Sequence, residues 1–234
     1  MTQVYALVIE IDDASLGVLS AAGAQLVVAK PAGNAAPSVA WLAWQPQPRN
    51  RLVFSETYGI YAAEIPARTG APIEIRASVY PAADRTIYRF DGESFATEAV
   101  PRLPARHYDV HNAAPFAAAA GLLQEATING RAARGPLTAA ILAPDVTADF
   151  TAVSKLYLWT RPHVNGGSIA PDVPNDAKII VFDPDHSERS YRFDRTTGTF
   201  EPRTEERGGL DAVLRGRKPL VPLISRGVPR LNPI

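Results

Sequence analysis

There is no cysteine in this chain of 234 residues. Disulfides, thiolate nucleophiles and cysteine-ligated metals are excluded at once. Net charge is missing too, because 24 basic side chains stand against 24 acidic ones. No global field draws such a chain to nucleic acid or to an anionic membrane, and no apolar run approaches the ~18 residues of a membrane helix. A nucleic-acid or membrane partner is therefore not expected. Met1-Thr2-Gln3-Val4-Tyr5 lacks the basic start, apolar stretch and small-residue cleavage site of a signal peptide. A soluble, cytoplasmic protein is the expectation, with export by another route left open. Also absent are a P-loop, a Gly-X-Gly-X-X-Gly turn, a Gly-X-Ser-X-Gly elbow and a His-Glu-X-X-His pair. No cofactor is expected. These absences weaken the case for an enzyme without removing it, since acid–base sites built from distant strands leave no linear trace.

What the chain does have is repetition. Tyr88-Arg89-Phe90-Asp91 recurs as Tyr191-Arg192-Phe193-Asp194, an offset of 191 − 88 = 103 residues. Pro81 and Pro184 share that offset, as do Tyr5 and Tyr108. The 21 prolines are scattered between short apolar runs, which favours many turns and opposes long helices. The expected fold class is mainly β: tandem duplicated β-sandwich-like domains over 1–103 and 104–207, each with one short helix after its first strand. A single continuous sandwich is the alternative. Residues 208–234 read as a basic, proline-rich tail that packs on the repeats, with docking on another chain as the sharper reading.

Within the first unit, Val4–Ile11 is apolar at almost every position, as in a central strand covered on both faces. Asp12 or Asp13 offers a helix N-cap and Gly23 a stop. Strands are expected over Gln25–Ala29, Val39–Trp44, Arg51–Glu56 and Tyr58–Ala62, the last with a bulge at Gly59. Ile73, Ile75, Ala77 and Val79 alternate as a core face. In the second unit, Asn112 is expected to cap a helix over roughly Ala114–Ala126, Leu137–Leu142 to match the tryptophan strand, and Lys155–Trp159 to match Leu52–Glu56. Asn129–Gly135 is polar and basic where the first unit has the strand Gln25–Ala29.

The candidate chemistry is modest. His107 and His111 lie four apart on an expected strand, about 13 Å at ~3.3 Å per residue, too far for one metal; no metal site is assigned. Asp183-Pro184-Asp185-His186 places two carboxylates beside an imidazole, as in an acid–base pair, although a proline turn needs the same residue types. His163 sits in a loop with no counterpart in the first unit. His163, His186, Asp183 and Asp185 are therefore the catalytic candidates. Trp41 and Trp44 are separated by an odd number and should face opposite sides of one strand. An exposed ring flanked by polar side chains suits a sugar. The ligand-binding candidates on that argument are Trp44, Asn50, Glu56, Tyr58, Trp159, Arg161 and His163. The leading expectation is a non-catalytic, lectin-like binding or interaction protein for a carbohydrate or another small polar ligand. A self-assembling structural protein, forming a homo-oligomer, and an enzyme using the second-unit His and Asp groups are the alternatives.

Overall fold

The computed structural model describes residues 3–66, 68–170 and 172–203. The tail expected over 208–234 lies outside the described residues. The first half carries β1 (Val4–Glu10), α1 (Asp13–Ala21), β2 (Ala24–Ala29), β3 (Val39–Ala40), β4 (Leu42–Trp44), β5 (Arg49–Ser55), β6 (Gly59–Ala63), β7 (Ile75–Val79), β8 (Thr86–Phe90) and β9 (Phe95–Ala99). The second carries β10 (His107–Asn112), β11 (Ala118–Ile128), β12 (Arg131–Pro136), β13 (Ala140–Leu142), β14 (Thr147–Thr151), β15 (Lys155–Pro162), β16 (Ser168–Ile169), β17 (Lys178–Val181), β18 (Glu188–Asp194) and β19 (Thr199–Pro202). The protein is mainly β, as its composition predicts.

The largest sheet runs β19-β18-β1-β5-β11-β6-β7, with β12 and β13 also paired to β11. Two four-stranded sheets run β14-β10-β8-β9 and β17-β15-β2-β4. Strands from both sides of residue 103 share all three: β1 pairs with β18, β8 with β10 and β2 with β15. Residues through Arg203 form one compact unit. One core joins the three sheets through Leu7, Ile9, Leu26, Val28, Leu52, Phe54, Val110, Leu122, Phe150, Leu156 and Phe182.

Each repeated tetrapeptide does the same work. Tyr88 and Phe90 are buried on β8, and Tyr191 and Phe193 are buried on β18. Arg89 and Arg192, between them, are exposed. Asp91 then accepts hydrogen bonds from the Glu93 and Ser94 amides, and Asp194 accepts from the Thr196 amide. Strand alternation buries the two rings, and the carboxylate closes the following turn. β8 runs parallel to β10 and forms an antiparallel hairpin with β9. β18 runs parallel to β1 and forms an antiparallel hairpin with β19.

Several elements follow their local sequence. Asp12 caps α1, accepting from the Ser15 amide at 2.9 Å, and Gly23 ends the turn with φ +60°. β1 lies inside the large sheet, between β18 and β5, as its continuous apolar run implies. Asn129 and Gly130, with φ 51° and 81°, make the two-residue turn that joins β11 to β12.

Others depart. The helix expected over Ala114–Ala126 is largely the strand β11, and α1 is the single helix among the described residues. Alanine favours a helix only weakly, and here four strands satisfy the β11 backbone from both sides. Small side chains are needed along it: a Cβ on Gly121 would overlap the Thr138 carbonyl. The polar Asn129–Gly135 stretch forms the Asn129-Gly130 turn and most of β12, and the strand over Leu137–Leu142 shortens to β13. The bulge expected at Gly59 lies between Ala62 and Ala63. Ile75 is exposed, whereas Ile73 is buried as expected. The strand antiparallel to β10 is β14, whereas β15 pairs with β2 and β17.

Candidate functional site

A cleft of about 570 Å³ opens where six segments meet. β1 contributes Tyr5, the loop after β2 contributes Gly33 and Asn34, and Glu56 follows β5. Arg106 precedes β10, Ser154 and Lys155 lie at the start of β15, and Phe182 and Asp183 follow β17. Glu56, Arg106, Ser154 and Asp183 stand just beyond strand ends, where the backbone leaves its ladder.

Glu56 is the centre. Its Oε1 accepts from the Tyr5 hydroxyl at 2.8 Å, from the Ser154 hydroxyl at 2.7 Å and from the Arg106 guanidinium. Among the described residues no hydrogen bond engages Oε2, and the side chain keeps 20% of its exposure. Burial raises the Glu56 pKa, but the hydrogen bonds from Arg106, Ser154 and Tyr5 outweigh it and leave the carboxyl below its ordinary value. The group is a fixed anion at neutral pH. Arg106 is held in the left-handed region at φ 64°, a conformation that costs a non-glycine residue on the order of 1 kcal/mol. Its amide donates to Asp84 Oδ2 at 2.9 Å and its carbonyl accepts from the Ala152 amide at 3.0 Å.

The other edge of the cleft is the Asp183 turn. Asp183 Oδ1 accepts from the Asp185 and His186 amides at 3.0 and 2.9 Å, and His186 Nδ1 lies 2.9 Å from it. The contact with His186 lowers the Asp183 pKa. Asp183 and His186 therefore meet, as the sequence suggested. His163 does not join them. It lies beyond the far end of β15, roughly 25 Å along the strand at ~3.3 Å per residue from the Lys155 end.

The expected aromatic surface is not assembled. Trp159 is buried at 4% exposure and packs with Val27, Ala29 and Val164. Trp44 is partly buried against the main core, and its Nε1 donates to Asn50 Oδ1 at 3.1 Å. Across their sheet Trp44 aligns with Leu26 and Trp159 with Val27, so the two rings face opposite sides. Trp41 and Trp44 both reach the main core, because the chain breaks at Trp41 between β3, paired to β16, and β4, paired to β2. Asn50 is fully buried and locks its turn through the Gln47 amide and carbonyl. Tyr58 is buried, and Arg161 donates to the Asp172 carbonyl at 3.3 Å. Of the sequence candidates, Glu56 and Asp183 line the cleft.

His107 and His111 share one face of β10, and each contacts a different threonine of β14, Thr151 and Thr147. No group of three or more potential metal-binding His, Asp or Glu side chains occurs among the described residues. Tyr5, Arg106 and Ser154 carried no linear signal, because strands distant in sequence bring them together. No family model, curated protein or solved structure matches this chain.

Proposed function

We propose that the protein is a non-catalytic binding protein that takes a small, hydroxyl-rich polar ligand, of the carbohydrate class, in the Glu56 cleft. The observation that carries the reading is the division of labour within one carboxylate. Three donors orient Oε1, which leaves Oε2 to accept from a ligand hydroxyl. Asn34, Arg106, Lys155 and Asp183 add further donors and acceptors around it, and Phe182 adds apolar surface, the mixture that polar ligands need. A carboxylate held below its ordinary pKa is a weak base at neutral pH, which favours binding over acid–base chemistry.

Isothermal titration against a panel of sugars, polyols and glycans tests this. Saturable binding is expected, and Glu56→Gln weakens it by about ten- to a hundred-fold, the ordinary cost of a charged hydrogen bond. No binding above background, or binding indifferent to Glu56→Gln, overturns the reading.

The repeated tetrapeptides support an internal duplication whose halves are interlaced. The β8–β9 hairpin of the first half joins the first strand of the second, and the β18–β19 hairpin of the second joins the first strand of the first.

A second reading, self-assembly, is favoured by β17, an edge strand of its sheet. The Phe182 amide donates to the Ser154 carbonyl at 2.9 Å, so Ile179 and Val181 turn their backbone groups to the open edge. The two residues are 50% and 55% exposed. Such an edge is a template for a second chain.

A further inference from the structure

Resting on the Glu56 cleft as the ligand site, we propose that Lys30 is its positioning residue and that the Lys30 proton regulates it. Lys30 follows β2 and is 1% exposed. Its Nζ lies 2.9 Å from Gln124 Oε1 and 3.3 Å from the Tyr58 hydroxyl, donating to both. Gln124 in turn donates through Nε2 to the Ser55 carbonyl. One amine therefore holds both flanks of Glu56: the residue before it through Gln124, and Tyr58, two residues after it, directly.

The surroundings mark this as more than packing. The Nζ lies 4.7 Å from the Phe54 ring centroid, 5.0 Å from that of Tyr58 and 5.7 Å from that of Trp41. Three ring faces stabilise an ammonium by cation–π attraction, yet no carboxylate lies within ion-pair distance of it among the described residues. A buried cation without a counter-ion is costly, and a methionine would fill the same space. Burial, the largest influence, lowers the Lys30 pKa to about 7; the charge on Glu56 opposes this and that on Arg106 adds to it.

The other ionisable groups around this network hold their charge through neutrality. Glu56 stays anionic. Arg106 stays cationic, its pKa raised by Glu56. The hydroxyls of Tyr5, Tyr58 and Tyr108 are pushed upward by burial, that of Tyr108 to about 12. Lys30 alone among these groups changes charge near pH 7. Below it, an ammonium grips Gln124 and Tyr58 with charge-assisted hydrogen bonds and adds positive potential behind Glu56. Above it, a neutral amine holds the same segment more loosely.

The test is an NMR titration of the full chain from pH 5.5 to 8.5. It follows the Lys30 Cε resonance and the Ser55, Glu56 and Tyr58 amides in wild type, Lys30→Met and His107→Gln. The expected result is one shared midpoint near pH 7 for Lys30 and the three amides. Those amide shifts vanish in Lys30→Met and survive in His107→Gln. The proposal is overturned if Lys30 Cε shows no titration in this range, if the amides move without it, or if their movement is lost in His107→Gln. The wild-type Lys30 resonance decides the matter even if Lys30→Met fails to fold. Sugar titrations at pH 6 and pH 8 separate this proposal from the one it rests on. Absence of binding at both values with an intact Lys30 titration removes the ligand reading and leaves the coupling standing. Binding whose affinity is the same at both values removes the regulation and leaves the ligand reading.

Discussion

At the scale of single residues, the chemistry concentrates in two ionisable groups whose pKa values both fall on folding, in two separate pH windows. Lys30 has a folded-state pKa of about 7, below its ordinary 10.5. Between those values the unfolded chain holds a proton that the folded chain has released, so stability rises with pH across this window. Wild type should gain on the order of 4 kcal/mol relative to Lys30→Met between pH 7 and pH 10.5, with urea unfolding at stepped pH as the measurement. A flat difference would place the Lys30 pKa in solution at its ordinary value. Glu56 acts in the same sense, in an acidic window. Its pKa lies below the ordinary 4.5, so its contribution is complete above that value and is lost as pH falls through the folded pKa. The stability gap between wild type and Glu56→Gln should close under acid. Acid unfolding followed by circular dichroism measures that gap.

At the scale of elements, β11 is the strand on which the large sheet depends. It pairs with β5 and β6 on one side and with β12 and β13 on the other. Its alanines and Gly121 are an adaptation to crowding, and their helical preference is too weak to resist so many backbone partners. Gly121→Ala forces a methyl group onto the Thr138 carbonyl, and Thr138 Oγ1 is also the acceptor for the Leu122 amide at 3.1 Å. The substitution should cost more than about 2 kcal/mol, read as a fall in the urea midpoint. The neighbouring Ala120→Gly substitution, which adds no volume, serves as the control for backbone freedom. At β17, Arg189 Nε donates to the Val181 carbonyl at 3.1 Å and covers part of the open edge. Arg189→Ala should promote concentration-dependent association, visible in sedimentation velocity, if that edge pairs with a second copy. An unchanged monomer would remove this route to self-assembly.

At the scale of the whole molecule, the halves depend on each other. β2 has β15 beside it, β8 has β10, and β1 has β18, each pair drawn from opposite sides of residue 103. Residues 1–103 produced alone lose these partners and expose the core faces of Leu26, Val28 and Tyr88. They should show a poorly dispersed amide spectrum, whereas co-expression with 104–234 should restore dispersion. The cleft shares this dependence, since Tyr5 and Glu56 come from one half and Arg106, Ser154 and Asp183 from the other.

The sequence by itself determined the β character, the position of β1 inside its sheet, the cap and stop of α1, and the special status of the repeated tetrapeptide. Each of these rests on local chemistry: alternation of apolar residues, a carboxylate before a helix, a glycine with positive φ, an aspartate after a strand. It also marked Glu56 and Asp183, though for a different surface from the one they share. Only the tertiary structure decided that Ala118–Ile128 is a strand, because backbone pairing with distant segments outweighs the small helical preference of alanine. It also decided which tryptophans are buried, because the break at Trp41 and the alignment of β2 with β4 and β15 set their directions. The gathering of Tyr5, Arg106 and Ser154 around one carboxylate, and the burial of Lys30 behind it, depend on pairings between strands up to 188 − 6 = 182 residues apart along the chain, as in Ala6 of β1 with Glu188 of β18. No local pattern encodes such contacts, since their free energy exists only once both strands are in the sheet.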